Sequence, residues 1–113
     1  MIFTATTLPG AYLIEMEPVE DKRGYFARTF CRRQFAAKGL ATEVMQSNVS
    51  YNRWRNTLRG MHYQIEPAGE AKLVQCGRGA LFDVIVDLRK EEATYCQWFG
   101  IELSAANGRM LYI

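Results

Sequence analysis

Ala80-Leu81-Phe82-Asp83-Val84-Ile85-Val86-Asp87-Leu88 is the stretch that decides the fold class. Apolar, mostly β-branched or aromatic residues recur there at a period of two, which suits a pleated strand because successive Cβ atoms point to opposite faces. The alternation predicts that Phe82, Val84, Val86 and Leu88 form the core face and that Asp83, Ile85 and Asp87 share the other. Two carboxylates in line on that second face suit solvent, a structural ion pair or a polar cavity.

Outward from this strand the same texture repeats. Ile2–Leu8, Tyr12–Met16, Tyr25–Phe30, Val44–Tyr51, Thr57–Gln64, Lys72–Cys76, Tyr95–Leu103 and Arg109–Ile113 all read as short strands. Pro9-Gly10, Pro67-Ala68-Gly69, Gly77-Arg78-Gly79 and Asn107-Gly108 supply the breaks. Gly77-Arg78-Gly79 lacks the spacing of a phosphate-binding loop and reads as a hairpin turn. Cys31–Lys38 departs from the pattern: good helix formers around Phe35 and Ala36, followed by Gly39, predict one short helix. The fold class expected is all-β, a jelly roll of two antiparallel sheets closing over a cavity, with one short helix. Trp54 and Trp98 read as core or interface residues.

A chain of 113 residues with 49% hydrophobic and 23% charged composition has the balance of a single folded domain spanning 1–113. The net charge is only +2, and no basic run or nucleic-acid motif is present, so nucleic acid is not the expected partner. Ten of the fourteen basic residues are arginines, with Arg53, Arg55 and Arg59 close together, and arginine suits bidentate contact with phosphate oxygens. A small anionic ligand follows. Cys31, Cys76 and Cys96 form no CxxC pair and read as reduced thiols of a cytoplasmic protein. No apolar run is long enough for a membrane helix, and the N-terminus lacks the pattern of a signal peptide, so no membrane association is expected.

His62 is the sole histidine, so an imidazole base in this chain has to be His62. A hydrogen-bonded histidine without a role is the ordinary alternative. Its surroundings favour chemistry: Arg59 stands three residues before it, Lys72 ten after, and Gln46-Ser47-Asn48-Val49-Ser50 lies upstream in a β-like stretch. Together these offer a base, a fixed cation, an ammonium for a developing oxyanion, and amides for a sugar or pyrimidine. Strict alternation sends Arg59 and His62 to opposite faces, so a shared cavity requires a bulge or bend at Gly60. With one histidine and scattered carboxylates, neither an intrinsic metal nor another cofactor is expected.

Six segments, in order, carry a resemblance. They are Asp21-Lys-Arg-Gly-Tyr-Phe26, Gln46-Ser-Asn48, Thr57-Leu-Arg-Gly-Met-His-Tyr-Gln64, Glu70-Ala-Lys-Leu-Val74, Phe82-Asp-Val-Ile-Val-Asp-Leu-Arg89 and Leu103-Ser-Ala-Ala-Asn107. Over nearly its whole length the chain resembles the dTDP-4-dehydrorhamnose 3,5-epimerase family of deoxysugar-nucleotide biosynthesis. The resemblance implies a metal-free cupin-type jelly roll that works as a homodimer and inverts C3 and C5 of a dTDP-linked 4-keto-6-deoxyhexose. It implies His62 as the base and Lys72 as the enolate stabiliser. It further implies Arg23, Arg59, Gln46 and Asn48 in contact with the nucleotide-sugar, with Phe26 lining the pocket.

Arg28 stands where some family members carry a glutamate that contacts the nucleotide. The family pattern also continues beyond Ile113 with a second histidine, a tyrosine proton donor and an acidic partner for the base. The expectation is therefore an incomplete jelly roll, missing its last strands, that retains the base side of the site, turns over weakly or not at all, and is an obligate oligomer. The alternative is a non-catalytic nucleotide-sugar binding or dimerisation module.

Overall fold

The computed structural model describes residues 1–113. Its strands are β1 (Ile2–Ala5), β2 (Tyr12–Glu15), β3 (Val19–Asp21), β4 (Gly24–Phe26), β5 (Leu73–Gln75), β6 (Ala80–Val86), β7 (Trp98–Ser104) and β8 (Met110–Tyr112), with one helix, α1 (Arg32–Ala36). The architecture is all-β apart from that helix. β1-β2-β8-β5 form one antiparallel sheet, while β3-β4 and β6-β7 form separate two-stranded ribbons.

The four-stranded sheet buries both of its faces. On one, Ala11, Cys76, Leu111 and the partly buried Val74 pack with Leu8, Ile85 and Leu103, so the β6-β7 ribbon is the second layer. On the other, Ile14, Met110 and Tyr112 pack with Phe35 and Leu40, which seats the helix. Phe35 is 1% exposed and lies edge-on to Phe3 and Tyr112 with ring centroids 5.3 and 6.0 Å away. This aromatic anchor fixes a helix too short to be stable alone. Gly39, at φ +70, reverses the chain so that the Leu40 N–H donates to the Phe35 carbonyl at 3.0 Å, closing the helix end. The helix expected over Cys31–Lys38 is thus present as Arg32–Ala36, followed by a turn over 37–39.

The buried phase of β6 is the reverse of the one read from the sequence: Ile85 and Asp87 are buried and Asp83 partly so, while Phe82 is 65% exposed and Leu88 is also exposed. The four-stranded sheet lies on the Asp83-Ile85-Asp87 side, and local bonds neutralise the polarity of Asp87 there. Gly77-Arg78-Gly79 is not a hairpin turn, because β5 pairs with β8 and β6 pairs with β7; it carries the chain from one layer to the other. Of the two settings read for Trp54 and Trp98, core or interface, their exposure removes the core one.

Val44–Tyr51 and Thr57–Gln64 are not strands. The whole stretch between α1 and β5 runs without a strand, and Val44, Met45, Val49, Leu58, Met61 and Tyr63 stay exposed. β-propensity describes how a side chain fits a paired, half-buried surface, and no strand of this chain pairs with either segment. The Cα radius of gyration, 15.1 Å, exceeds the roughly 13 Å of a compact chain of this length, consistent with that outlying stretch. No helix of the structure is long and apolar enough to cross a membrane.

Candidate functional site

The residues named from the sequence fall into two groups. Arg23 and Phe26 belong to the β3-β4 ribbon, whereas Gln46, Asn48, Arg59 and His62 lie on the strandless stretch that ends at Lys72. No hydrogen bond or ion pair joins the first group to the second.

In the ribbon, Asp21 pairs with Gly24 across the turn, and Arg23 folds back on the Asp21 carboxylate. Its Nε sits 3.2 and 3.1 Å from the two oxygens and its Nη2 2.5 Å from Oδ2. This bond lowers the Asp21 carboxyl from its ordinary value and raises Arg23. Both groups are exposed, so the pair orients the guanidinium more than it stabilises the fold. Phe26 is 79% exposed and flanks two shallow surface hollows. Arg23 and Tyr25 border one, and Arg28, Glu17, Gln34 and Met1 border the other. The Gln34 Oε1 is buried there without a hydrogen-bond partner.

On the strandless stretch, Arg59 Nε donates to Asn52 Oδ1 at 2.6 Å and its Nη2 to the Tyr51 carbonyl at 3.2 Å. These bonds fold the segment on itself and keep Arg59 close to the chain. Gly60 takes φ +113, a backbone conformation that favours glycine, in irregular chain and not as a strand bulge. His62 is exposed and its ring makes no hydrogen bond within the chain, and neither do the side chains of Gln46 and Asn48. The stretch is anchored at both ends on β8. Ala41 N–H donates to the Tyr112 hydroxyl at 2.9 Å, and Lys72 and Ile113 exchange backbone bonds of 2.9 Å each.

Lys72 continues β5 by one residue, on the same face as Val74 and Cys76. Its Nζ lies 2.9 Å from Glu70 Oε1, and the two side chains are 41% and 37% exposed. The Lys72 ammonium, and to a smaller degree Gln64, hold the Glu70 carboxyl below its ordinary value. Glu70 was not among the residues singled out as site groups, although its spacing of two from Lys72 puts both on one side of an extended chain.

Asp83, one of the two carboxylates that the 80–88 alternation sets on the second face, turns inward. It is half-buried on the inner face of β6 opposite Ile101, its Oδ2 is enclosed without a partner, and burial raises its carboxyl from the ordinary value. The alternation of the 80–88 strand separates its two faces, and the structure makes the Asp83-Ile85-Asp87 face the inner one.

The family model for dTDP-4-dehydrorhamnose 3,5-epimerase matches residues 5–113. A dTDP-4-dehydrorhamnose 3,5-epimerase of Methanothermobacter thermautotrophicus is 45% identical over 111 residues, covering 98% of this chain and 59% of the relative. Among solved structures, the Bacillus anthracis epimerase with TDP and PPi bound superposes with a TM-score of 0.94 at 38% identity, over 99% of this chain and 64% of that one. A Legionella pneumophila epimerase in complex with dTDP-4-keto-L-rhamnose gives a TM-score of 0.90 at 33% identity, over 99% of this chain and 59% of the other. The chain therefore spans about 60% of the length of the relatives it matches. Its fold is theirs, the cupin-type jelly roll, over the part they share. With a family model that covers nearly every residue and a backbone that superposes throughout, this chain belongs to the dTDP-4-dehydrorhamnose 3,5-epimerase family.

Proposed function

We propose that the chain forms one domain, residues 1–113, carrying the proton-abstracting side of a sugar-nucleotide epimerase site that acts on a dTDP-linked 4-keto-6-deoxyhexose in the cytoplasm. C3 and C5 flank the ketone of such a sugar, so their protons are acidic once the enolate oxygen is stabilised. His62 removes the proton, Lys72 faces the enolate oxygen, Arg23, Arg59, Gln46 and Asn48 hold the nucleotide-sugar, and Phe26 lines its pocket.

One observation carries the reading. The superposition on solved epimerases runs through the whole chain, including the strandless stretch that bears His62 and ends at Lys72 on β5. Bound TDP in one of those relatives and a bound dTDP-keto-sugar in another support the ligand class. A homodimer is part of the proposal. Phe82 and Trp98, 65% and 64% exposed on the outer face of β6-β7, support it.

A nucleotide-sugar binding module without turnover is the second reading, and the Lys72–Glu70 pair favours it. An ammonium engaged by a carboxylate in a wet ion pair is not poised at a dry oxyanion site. Calorimetric titration with dTDP separates the outcomes. The site reading expects saturable binding that Arg59→Ala and Arg23→Ala weaken, each by about tenfold. Failure of the folded chain to bind dTDP overturns both readings.

A further inference from the structure

The structure contains one carboxylate oxygen that is enclosed and unpartnered, Asp83 Oδ2. Its surroundings follow from strand register. On β6, Asp83 shares its face with Ile85 and Asp87, and the neighbouring strand sets Ile101 opposite it, between Phe99 and Leu103. Ile85 and Leu103 pack against Val74, Cys76 and Leu111 of the four-stranded sheet, as do Phe99 and Ile101. Asp83 therefore points into the space between the two layers.

From the opposite layer, Cys76, Val74 and Lys72 stand on one face of β5 and its extensions, with Leu111 on β8 and Ile113 just beyond it beside them. Lys72 thus stands on the face of the four-stranded sheet that looks toward Asp83, although its ammonium rests on Glu70 at the rim. The remaining charged groups on these facing surfaces are already matched. Asp87 accepts from Arg89 and Thr94, and Glu15 accepts from Arg109 at 3.0 Å. Lys72 is held by Glu70 alone, at the half-exposed rim.

We propose that Asp83 is the interior counter-ion of Lys72. It is a positioning residue that draws the ammonium from its rim contact with Glu70 into the space between the sheets. A lone carboxylate in an apolar layer is costly, and a partner ammonium removes that cost, whereas the Glu70 pair is exposed on both sides and holds Lys72 weakly. Lys72 therefore has two seats: Glu70 holds it outside, and Asp83 holds it where an oxyanion between the layers would meet it. The proposal rests on the reading of Lys72 as the enolate-side cation and adds the group that aims it.

The test is carbon-detected NMR of the 113-residue chain with labelled aspartate and lysine. Two results are expected: cross-peaks between the Lys72 ε-methylene and the Asp83 β-methylene, and an Asp83 carboxyl titration that moves to higher pH in Lys72→Met. Glu70→Gln releases Lys72 from the rim and should move the same titration to lower pH. Absence of the cross-peaks in the wild-type chain overturns the proposal without needing any variant to fold. So does an Asp83 titration that Lys72→Met leaves in place. A dTDP titration of the same samples keeps the two readings apart. Coupling without dTDP binding sustains the pair and sinks the functional reading, and binding without coupling does the reverse.

Discussion

Arg89 grips both oxygens of the buried Asp87, with Nε 2.9 Å from Oδ1 and Nη2 2.8 Å from Oδ2, and the same Nη2 reaches the Pro9 carbonyl at 2.8 Å. The Thr94 hydroxyl donates to Oδ2 at 2.6 Å and the Arg89 N–H to Oδ1 at 3.0 Å. One carboxylate therefore organises the 88–97 loop at the end of the β6-β7 ribbon, and its arginine ties that ribbon to the turn between β1 and β2. Replacing Arg89 by Met strips the buried carboxylate of its charged partner. The expected loss is about 2–3 kcal/mol, since Arg89 itself is half-exposed. Urea unfolding reads it as a lower midpoint at unchanged slope, and a variant with wild-type stability would remove the tie from the account.

The same pair sets an acid limit. Bonds from Arg89 first, and then Thr94, hold the Asp87 carboxyl far below its ordinary value. A depressed carboxyl contributes its full stability above the unfolded value, about 3.9 for Asp, and loses it as pH falls through the folded value. Stability should therefore drop below about pH 4, with Asp87 contributing up to about 1.4 kcal/mol per pH unit. Urea midpoints for Asp87→Asn, already lower at neutral pH, should fall less steeply over that range. Parallel curves for the two proteins would assign the acid limit elsewhere.

Tyr112 anchors the stretch that bears His62. Its ring packs edge-on to Phe35 and its hydroxyl accepts from Ala41 N–H at 2.9 Å. Tyr112→Phe keeps the ring and removes the acceptor, so the expected cost is about 1 kcal/mol. Hydrogen exchange should accelerate at Ala41 while the β2-β8 amides stay protected. Unchanged exchange at Ala41 would show that the anchor is not the hydroxyl.

The exposed face around Phe82 and Trp98 gives an assembly prediction. At micromolar concentration the chain should sediment as a dimer, and Trp98→Ser should shift it toward monomer. A wild-type monomer with a cooperative melt would count against the dimer.

Strand composition and turn residues are enough to locate β1, β2, β5, β6, β7 and β8, because those segments find partners within the chain. The same composition misled at 44–51 and 57–64. Strand formation there depends on a neighbouring strand, and a single segment carries no record of whether one is available. The two faces of β6 were separated correctly and then assigned in reverse. Side-chain counting favoured Phe82 and Leu88 as core, but the four-stranded sheet packs on the side where Arg89 and Thr94 neutralise Asp87. Of the candidate site, His62, Arg59 and Lys72 were legible as an unusual polar set. The contacts that restrain two of them, Asn52 to Arg59 and Glu70 to Lys72, are ordinary local pairs that only coordinates single out.

In the proposed reaction His62 abstracts a proton beside a ketone with Lys72 as the oxyanion's partner. Its most direct test follows solvent-deuterium incorporation at C3 and C5 of dTDP-4-keto-6-deoxyglucose by proton NMR with the 113-residue chain. The account expects incorporation above the uncatalysed rate, abolished in His62→Ala and lowered about 100-fold or more in Lys72→Ala. Incorporation that persists in His62→Ala, or a folded wild-type chain that does not exchange these protons, overturns the proposal.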